Sequence, residues 1–166
     1  STTAILGSQC QMSTLNWHGA VVRSGCYDDQ NGIFWQYDGQ TMAVGRRTST
    51  FQCAGSIAVN SGSNTVTGTG TRFTDQLQEG DRIVLKGMTH VVANISSNTA
   101  MTINPGFRGV SDTSFAKISK VQDIIIPQSD WNLDRCDGTG PSGYLIDVTK
   151  MQMIGIQFTW YGAGFI

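Results

Sequence analysis

Few side chains in this chain are placed to do chemistry, and carboxylates come first among them. Asp28 and Asp29 are adjacent, and Asp130, Asp134 and Asp137 gather in one later stretch. A glycosidase needs two carboxylates at a set separation across a cleft. A calcium site needs several oxygens converging from one loop, and Asp134 and Asp137 with nearby carbonyls are the best such set. The EF-hand spacing is absent. Each of these acids stands among Gly and Asn residues, a setting in which Asp hydrogen-bonds its own backbone to make turns. There are only two histidines, His18 and His90. A nucleophilic triad needs a base, usually His, and no G-x-S-x-G is present. His90 is expected on the polar face of a strand and His18 at a strand entrance. The sequence therefore assigns no catalytic residue and no metal ligand, and the chain reads as non-enzymatic.

Gly138-Thr139-Gly140-Pro141-Ser142-Gly143 matches G-x-G-x-x-G to the letter. Dinucleotide binding requires a strand before that motif and a helix after it. Here an Asp-rich stretch precedes it, a β-run follows, and Pro141 removes an N–H. A glycine-bent loop is the better reading, and no cofactor is expected. Cysteines at 10, 26, 53 and 136 form no C-x-x-C and fit no zinc spacing. Four isolated thiols are favoured over a disulfide pair. Asn94-Ile95-Ser96 fits the glycosylation sequon, which means little without a secretory signal.

Aromatics are the richest resource. Trp35, Tyr37, Trp131, Trp160 and Tyr161 could stack sugars or anchor a protein interface. Trp35 and Trp160 are expected to fill a core. Trp131 and Tyr161, near a loop and a strand end, are the open ones. Arg46 and Arg47 close a strand and read as a solvated or interfacial pair. Trp131, Tyr161, Arg46 and Arg47 are thus the candidate interface or glycan contacts.

The elements that must position these residues read as strands. The first 17 residues are polar and rich in Gln, Ser and Thr, an arm or irregular lead-in. Residues 19–27 suit a strand, and residues 28–32 supply a turn ending in Asn-Gly. Ile33 to Tyr37 follows, with Ile33, Trp35 and Tyr37 on one face. Asp38-Gly39 marks a second tight turn, and residues 41–47 return as a third strand. From about Ser56 the texture changes to six short β-runs separated by turn clusters such as Ser61-Gly62-Ser63-Asn64 and Lys86-Gly87. Runs that short suggest a small barrel or sandwich. Phe73 and Leu77, four apart, mark one helical turn near residues 71–77. After Lys120 the first texture resumes, and residues 151–160 alternate clearly. The expected organisation is an arm at 1–17, a discontinuous β-sandwich or jelly-roll-like domain at 18–55 plus 120–166, and an inserted small β-barrel-like module at 56–119.

Composition narrows the classes further. Charged residues make up 14% of the 166, against about 25% in a typical domain, while Gly reaches 20 and Pro only 3. That is the profile of short strands joined by glycine turns with hydroxyl-rich outer faces. Net charge is −1, so the electrostatic footprint of a nucleic-acid binder is missing. No apolar run of about 18 residues is present to span a membrane as a helix. The chain opens without Met and stops within an apolar run, which suggests a processed chain or one piece of a longer one.

Three segments carry a resemblance. They are Arg23-Ser24-Gly25-Cys26-Tyr27-Asp28-Asp29-Gln30-Asn31-Gly32-Ile33-Phe34-Trp35, Gln128-Ser129-Asp130-Trp131-Asn132-Leu133-Asp134, and Asp137 to Tyr144 running on through Phe158-Thr159-Trp160-Tyr161-Gly162-Ala163-Gly164. Together they resemble a virion protein domain of tailed phages, especially marine ones, and of large DNA viruses. The stretch Val66-Thr67-Gly68-Thr69-Gly70-Thr71-Arg72-Phe73, followed by Glu79-Gly80-Asp81-Arg82-Ile83, is similar to small β-modules of phage tail, neck and fibre proteins. The resemblance implies a β-sandwich part of a structural polypeptide in the virion. Its partners would be copies of itself and other virion proteins. It brings no catalytic residues. The alternative is a lectin-like module that binds host-surface glycans.

Overall fold

The computed structural model describes residues 3–11, 21–148 and 150–159. The fold is all-β. Its strands are β1 (Thr3–Gln11), β2 (Val22–Tyr27), β3 (Gly32–Tyr37), β4 (Met42–Gln52), β5 (Ser56–Val59) and β6 (Thr65–Thr69). After a single helical turn, α1 (Phe73–Gln76), come β7 (Arg82–Leu85), β8 (Met88–Ser97), β9 (Ala100–Asn104), β10 (Asp112–Ala116), β11 (Ile118–Pro127) and β12 (Met151–Thr159). No helix among the described residues is long and apolar enough to cross a membrane.

The chain divides into two compact units. The first comprises Ser1–Tyr27, Gly32–Arg46 and Ile124–Ile166, and the second comprises Asp28–Asn31 and Arg47–Asp123. Strands β4 and β11 each contribute residues to both. In the second unit the sheet order is β10-β5-β6-β9-β8-β7-β11-β4, and in the first it is β11-β4-β3-β2. The first unit also holds an antiparallel pair of β1 with β12, registered from Thr3↔Thr159 to Gln11↔Met151. Residues 3–11 are therefore a strand and not the irregular arm that their polar composition suggests. Their partner lies at the far end of the sequence, where no local pattern could reveal it.

The second unit follows its alternation closely. Ile57 and Val59 of β5, Val66 of β6, Ile83 and Leu85 of β7, and Met101 and Ile103 of β9 all point into one core. That core is completed by Phe73, Leu77 and Phe107. The expected helical turn is present, and the Leu77 N–H donates to the Phe73 carbonyl at 2.9 Å. Its start is held from another element. Asn98, in the β8–β9 turn, accepts the Thr74 N–H at 2.9 Å on Oδ1. The β7–β8 connection is a two-residue turn with Lys86 at φ 47° and Gly87 at φ 82°, a backbone hand that suits the strand twist.

His90 corrects an expectation. It lies 1% exposed on the inner face of β8, beside Val92, while Val91 faces out. Its Nδ1 donates to the Pro105 carbonyl at 2.9 Å. Its Nε2 is buried with no hydrogen-bond partner among the described residues.

The first unit is apolar on both faces of β3. Phe34 is 0% exposed. It stacks obliquely on Tyr27 at 5.1 Å and lies under the Arg23 guanidinium, 4.7 Å from the ring centre. Gly45 is placed so close to this ring that any Cβ there would overlap it. On the opposite face Tyr37 and Met42 are buried, with Trp35, Trp131, Ile146 and Val148 packed against them. Ile33 and Trp35 are only half-buried. The apolar face expected from Ile33, Trp35 and Tyr37 is thus partly open, and the fully enclosed side chain is Phe34, from the other face. Where both faces of a strand are apolar, alternation does not say which one is covered.

Candidate functional site

The first unit carries the candidate site, which begins where β11 ends. Pro127 cannot continue the ladder, and residues 128–130 form one 3-10 turn. Trp131 follows, its indole N–H donating to the Ile126 carbonyl at 3.3 Å. Its ring meets Trp35 nearly edge-on, at 5.0 Å and 81°. A chain turn and a strand thereby bring two tryptophans together at the surface.

Beside them lies an open groove of about 680 Å³. Its apolar wall is Ile33, Trp35, Val44, Ile126, Trp131 and Leu133, and its polar lining is Arg46, Asp130, Asn132 and Asp134. Arg46 and Asp130 are exposed, and Leu133 is 85% exposed at the edge. Arg46 has no ion pair among the described residues.

The acids of the loop are already engaged. Asp134 accepts the Cys136 N–H on Oδ1 and the Ser142 N–H on Oδ2, both at 2.8 Å. A Cβ at Gly140 would strike this carboxylate, which would have to shift away from its loop amides. Ser142, then the Cys136 N–H, hold the Asp134 carboxyl below its ordinary pKa. Asp137 accepts both the Thr139 hydroxyl and its N–H on Oδ1, which likewise lowers its pKa. The G-x-G-x-x-G stretch is thereby folded on itself. Gly138 N–H donates to the Tyr144 carbonyl at 2.9 Å, and Gly143 N–H to the Gly140 carbonyl at 3.0 Å. The N–H groups of Gly138, Thr139, Ser142 and Gly143 donate to internal acceptors and Pro141 has none to give, so the cradle that a phosphate needs is not built.

Asp28 and Asp38 repeat this device. Each takes two later backbone N–H groups on Oδ1: Asp28 from Gln30 and Asn31, Asp38 from Gln40 and Thr41. Both carboxyls are pulled below their ordinary pKa, chiefly by the N–H of Asn31 and of Thr41 respectively. All four shifted carboxyls move down. A general acid at neutral pH needs the opposite shift. The thiols of Cys53 and Cys136 are pushed up, first by burial, away from nucleophilic thiolate. Cys26, Cys53 and Cys136 are all free.

The four candidate contacts separate. Trp131 and Arg46 line the groove together. Arg47 does not reach the surface: its side chain is 3% exposed and forms a two-pronged ion pair with Asp123, Nε–Oδ1 at 2.8 Å and Nη2–Oδ2 at 2.9 Å. A third bond runs from Nη1 to the Asp28 carbonyl at 2.7 Å. Successive strand residues face opposite ways, so the solvated or interfacial pair expected at 46–47 is split. Tyr161 lies outside the described residues, as do Trp160 and His18. Leu133 was missed by the sequence reading. A lone leucine between Asn132 and Asp134, in a loop with no alternation, was the available signal.

No family model matches the chain, and no curated protein matches it. Among solved structures, a phage phi92 endosialidase is similar at a TM-score of 0.29 and 14% identity, over 64% of this chain. The match spans 20% of that protein's own length.

Proposed function

We propose that this chain is a structural component of a virus particle that acts by protein–protein assembly. The observation that carries this reading is the exposed apolar surface of the first unit. Ile124, Ile125 and Ile126 are consecutive in β11 and each 39–45% exposed, so apolar surface is left open on both faces of that strand. Leu133, Tyr144 and Leu145 add to it from the following loop. Apolar side chains left out of a core in this density mark an interaction surface. The three sequence segments that resemble virion domains support the particle. The working partners are copies of the chain and other virion proteins.

Mass spectrometry of purified particles tests this directly. The chain should be present at fixed stoichiometry and retained through a salt wash. Its absence from particles that are otherwise complete would overturn the reading.

A second reading has one observation in its favour. The Trp35–Trp131 pair beside Arg46, Asp130 and Asn132 offers an apolar face with a polar rim, the composition of a sugar subsite. A glycan array should then give hits that Trp131→Ala removes. An array without hits ends the lectin-like alternative.

A further inference from the structure

We propose that the groove beside Trp35 and Trp131 receives Leu133 of a second copy of this chain, with Arg46 of one copy paired to Asp130 of the other. This rests on the assembly reading and assigns it a surface.

The groove and the group that fits it lie on the same patch. Leu133 stands 85% exposed at the edge of a hollow walled by aliphatic and indole side chains. A leucine left projecting keeps apolar surface in water that a partner would remove, so it is a ready anchor. The rim carries both charge signs, Arg46 from β4 and Asp130 from the turn after β11. Among the described residues of one copy these two are not paired: Arg46 has no ion pair there, and Asp130 accepts the Ser129 hydroxyl at 3.0 Å. Asp134, the other acid of the lining, is engaged by loop amides, so the surface bears a knob, a hollow and one available charge of each sign, and is complementary to itself.

A sugar is served less well. The Trp131 N–H is spent on the Ile126 carbonyl, and the Asp134 oxygens are spent on loop amides. The Ile33, Val44, Ile126 and Leu133 part of the wall offers a sugar hydroxyl no side-chain partner and suits an apolar side chain.

The test is the solution mass of the 166-residue chain by light scattering and sedimentation across concentration, for wild type, Leu133→Asp, Arg46→Glu, Asp130→Arg and the double reversal Arg46→Glu/Asp130→Arg. All three positions are exposed, so far-UV circular dichroism should match wild type throughout. Wild type should self-associate. Leu133→Asp should weaken association at least about tenfold, as loss of a central anchor does. Each single reversal should weaken it by about tenfold, and the double reversal should return it to within about threefold of wild type.

A wild type that stays monomeric at millimolar concentration overturns the proposal. So does self-association that none of the variants alters, although assembly through another surface then survives. Single reversals that weaken association without recovery in the double overturn the pairing. A monomer whose indole fluorescence responds to saccharide, with the response lost in Trp131→Ala, gives the groove to a sugar and overturns the proposal as well. Absence from purified particles is a separate failure, of the virion reading alone.

Discussion

Arg47 and Arg46 stand side by side in the sequence and have opposite fates. Arg46 is a solvent-facing guanidinium at a groove, while Arg47 is held within the second unit by Asp123. Asp123 also meets Arg82, at 3.3 Å. Removing the acid would strand a buried cation. Asp123→Ala should therefore cost about 3 kcal/mol, the lower end for breaking a buried pair because the Asp123 side chain keeps 20% exposure. Urea unfolding measures it, and a loss below about 1 kcal/mol would class the pair with ordinary surface ion pairs. His90 makes the converse case. It gives one hydrogen bond and leaves one nitrogen without a partner among the described residues. His90→Leu keeps the volume and removes the orphaned nitrogen but takes the donor from the Pro105 carbonyl, so it should cost about 1 kcal/mol. His90→Ala should cost about 2–3 kcal/mol through the cavity alone. If both variants lose the same amount, the imidazole hydrogen bond and not its volume is what matters.

Elements here are specified locally and secured at a distance. Helical turn α1 is too short to stand by itself. Phe73 and Leu77 anchor it in the core, and Asn98 serves its first turn from a hairpin on the other side of β7. Asn98→Ala should lower stability by about 1 kcal/mol, as loss of a helix-start acceptor does. Hydrogen exchange should show faster exchange at the Thr74 amide before any global change, and unaltered protection there would refute the role. The short runs of the second unit were legible in the sequence because inward Ile and Val alternate with Ser, Thr and Ala. The turn acids were legible for a similar reason: an Asp beside Gly or Asn can reach the backbone N–H two and three residues on. Strand β1 was not legible. Its nine residues show no sustained apolar–polar alternation, and its ladder partner, β12, is supplied by the opposite end of the chain. The position of His90 was missed because one histidine within a β-run does not say which face of the strand is inward.

Across the molecule, acid sensitivity follows from the turns. Asp28, Asp38, Asp134 and Asp137 all titrate below their ordinary value in the folded chain. In the unfolded chain they titrate near 3.9, so as pH falls the unfolded state takes up protons first. The stability they confer is complete at neutral pH and is lost as pH drops from about 4 through the folded values. The urea midpoint at pH 3 should be clearly lower than at pH 7. Replacing Asp134 by Asn should shrink that difference, because one of the four titrating groups is gone. An unchanged difference would mean that other carboxyls govern it.

The sequence by itself determined the all-β character, most of the β-runs of the second unit (the run expected at 115–118 is divided between β10 and β11), the helical turn at Phe73–Gln76 and the Asp-built loops. Each of these depends on side-chain period or on bonds spanning a few residues. The tertiary structure alone decided which face of β3 is sealed, that Trp35 meets Trp131, that Arg47 turns inward, and that Arg46, Asp130 and Leu133 share one groove. Those outcomes depend on which distant segments fill the space beside a residue, and a local pattern does not encode that.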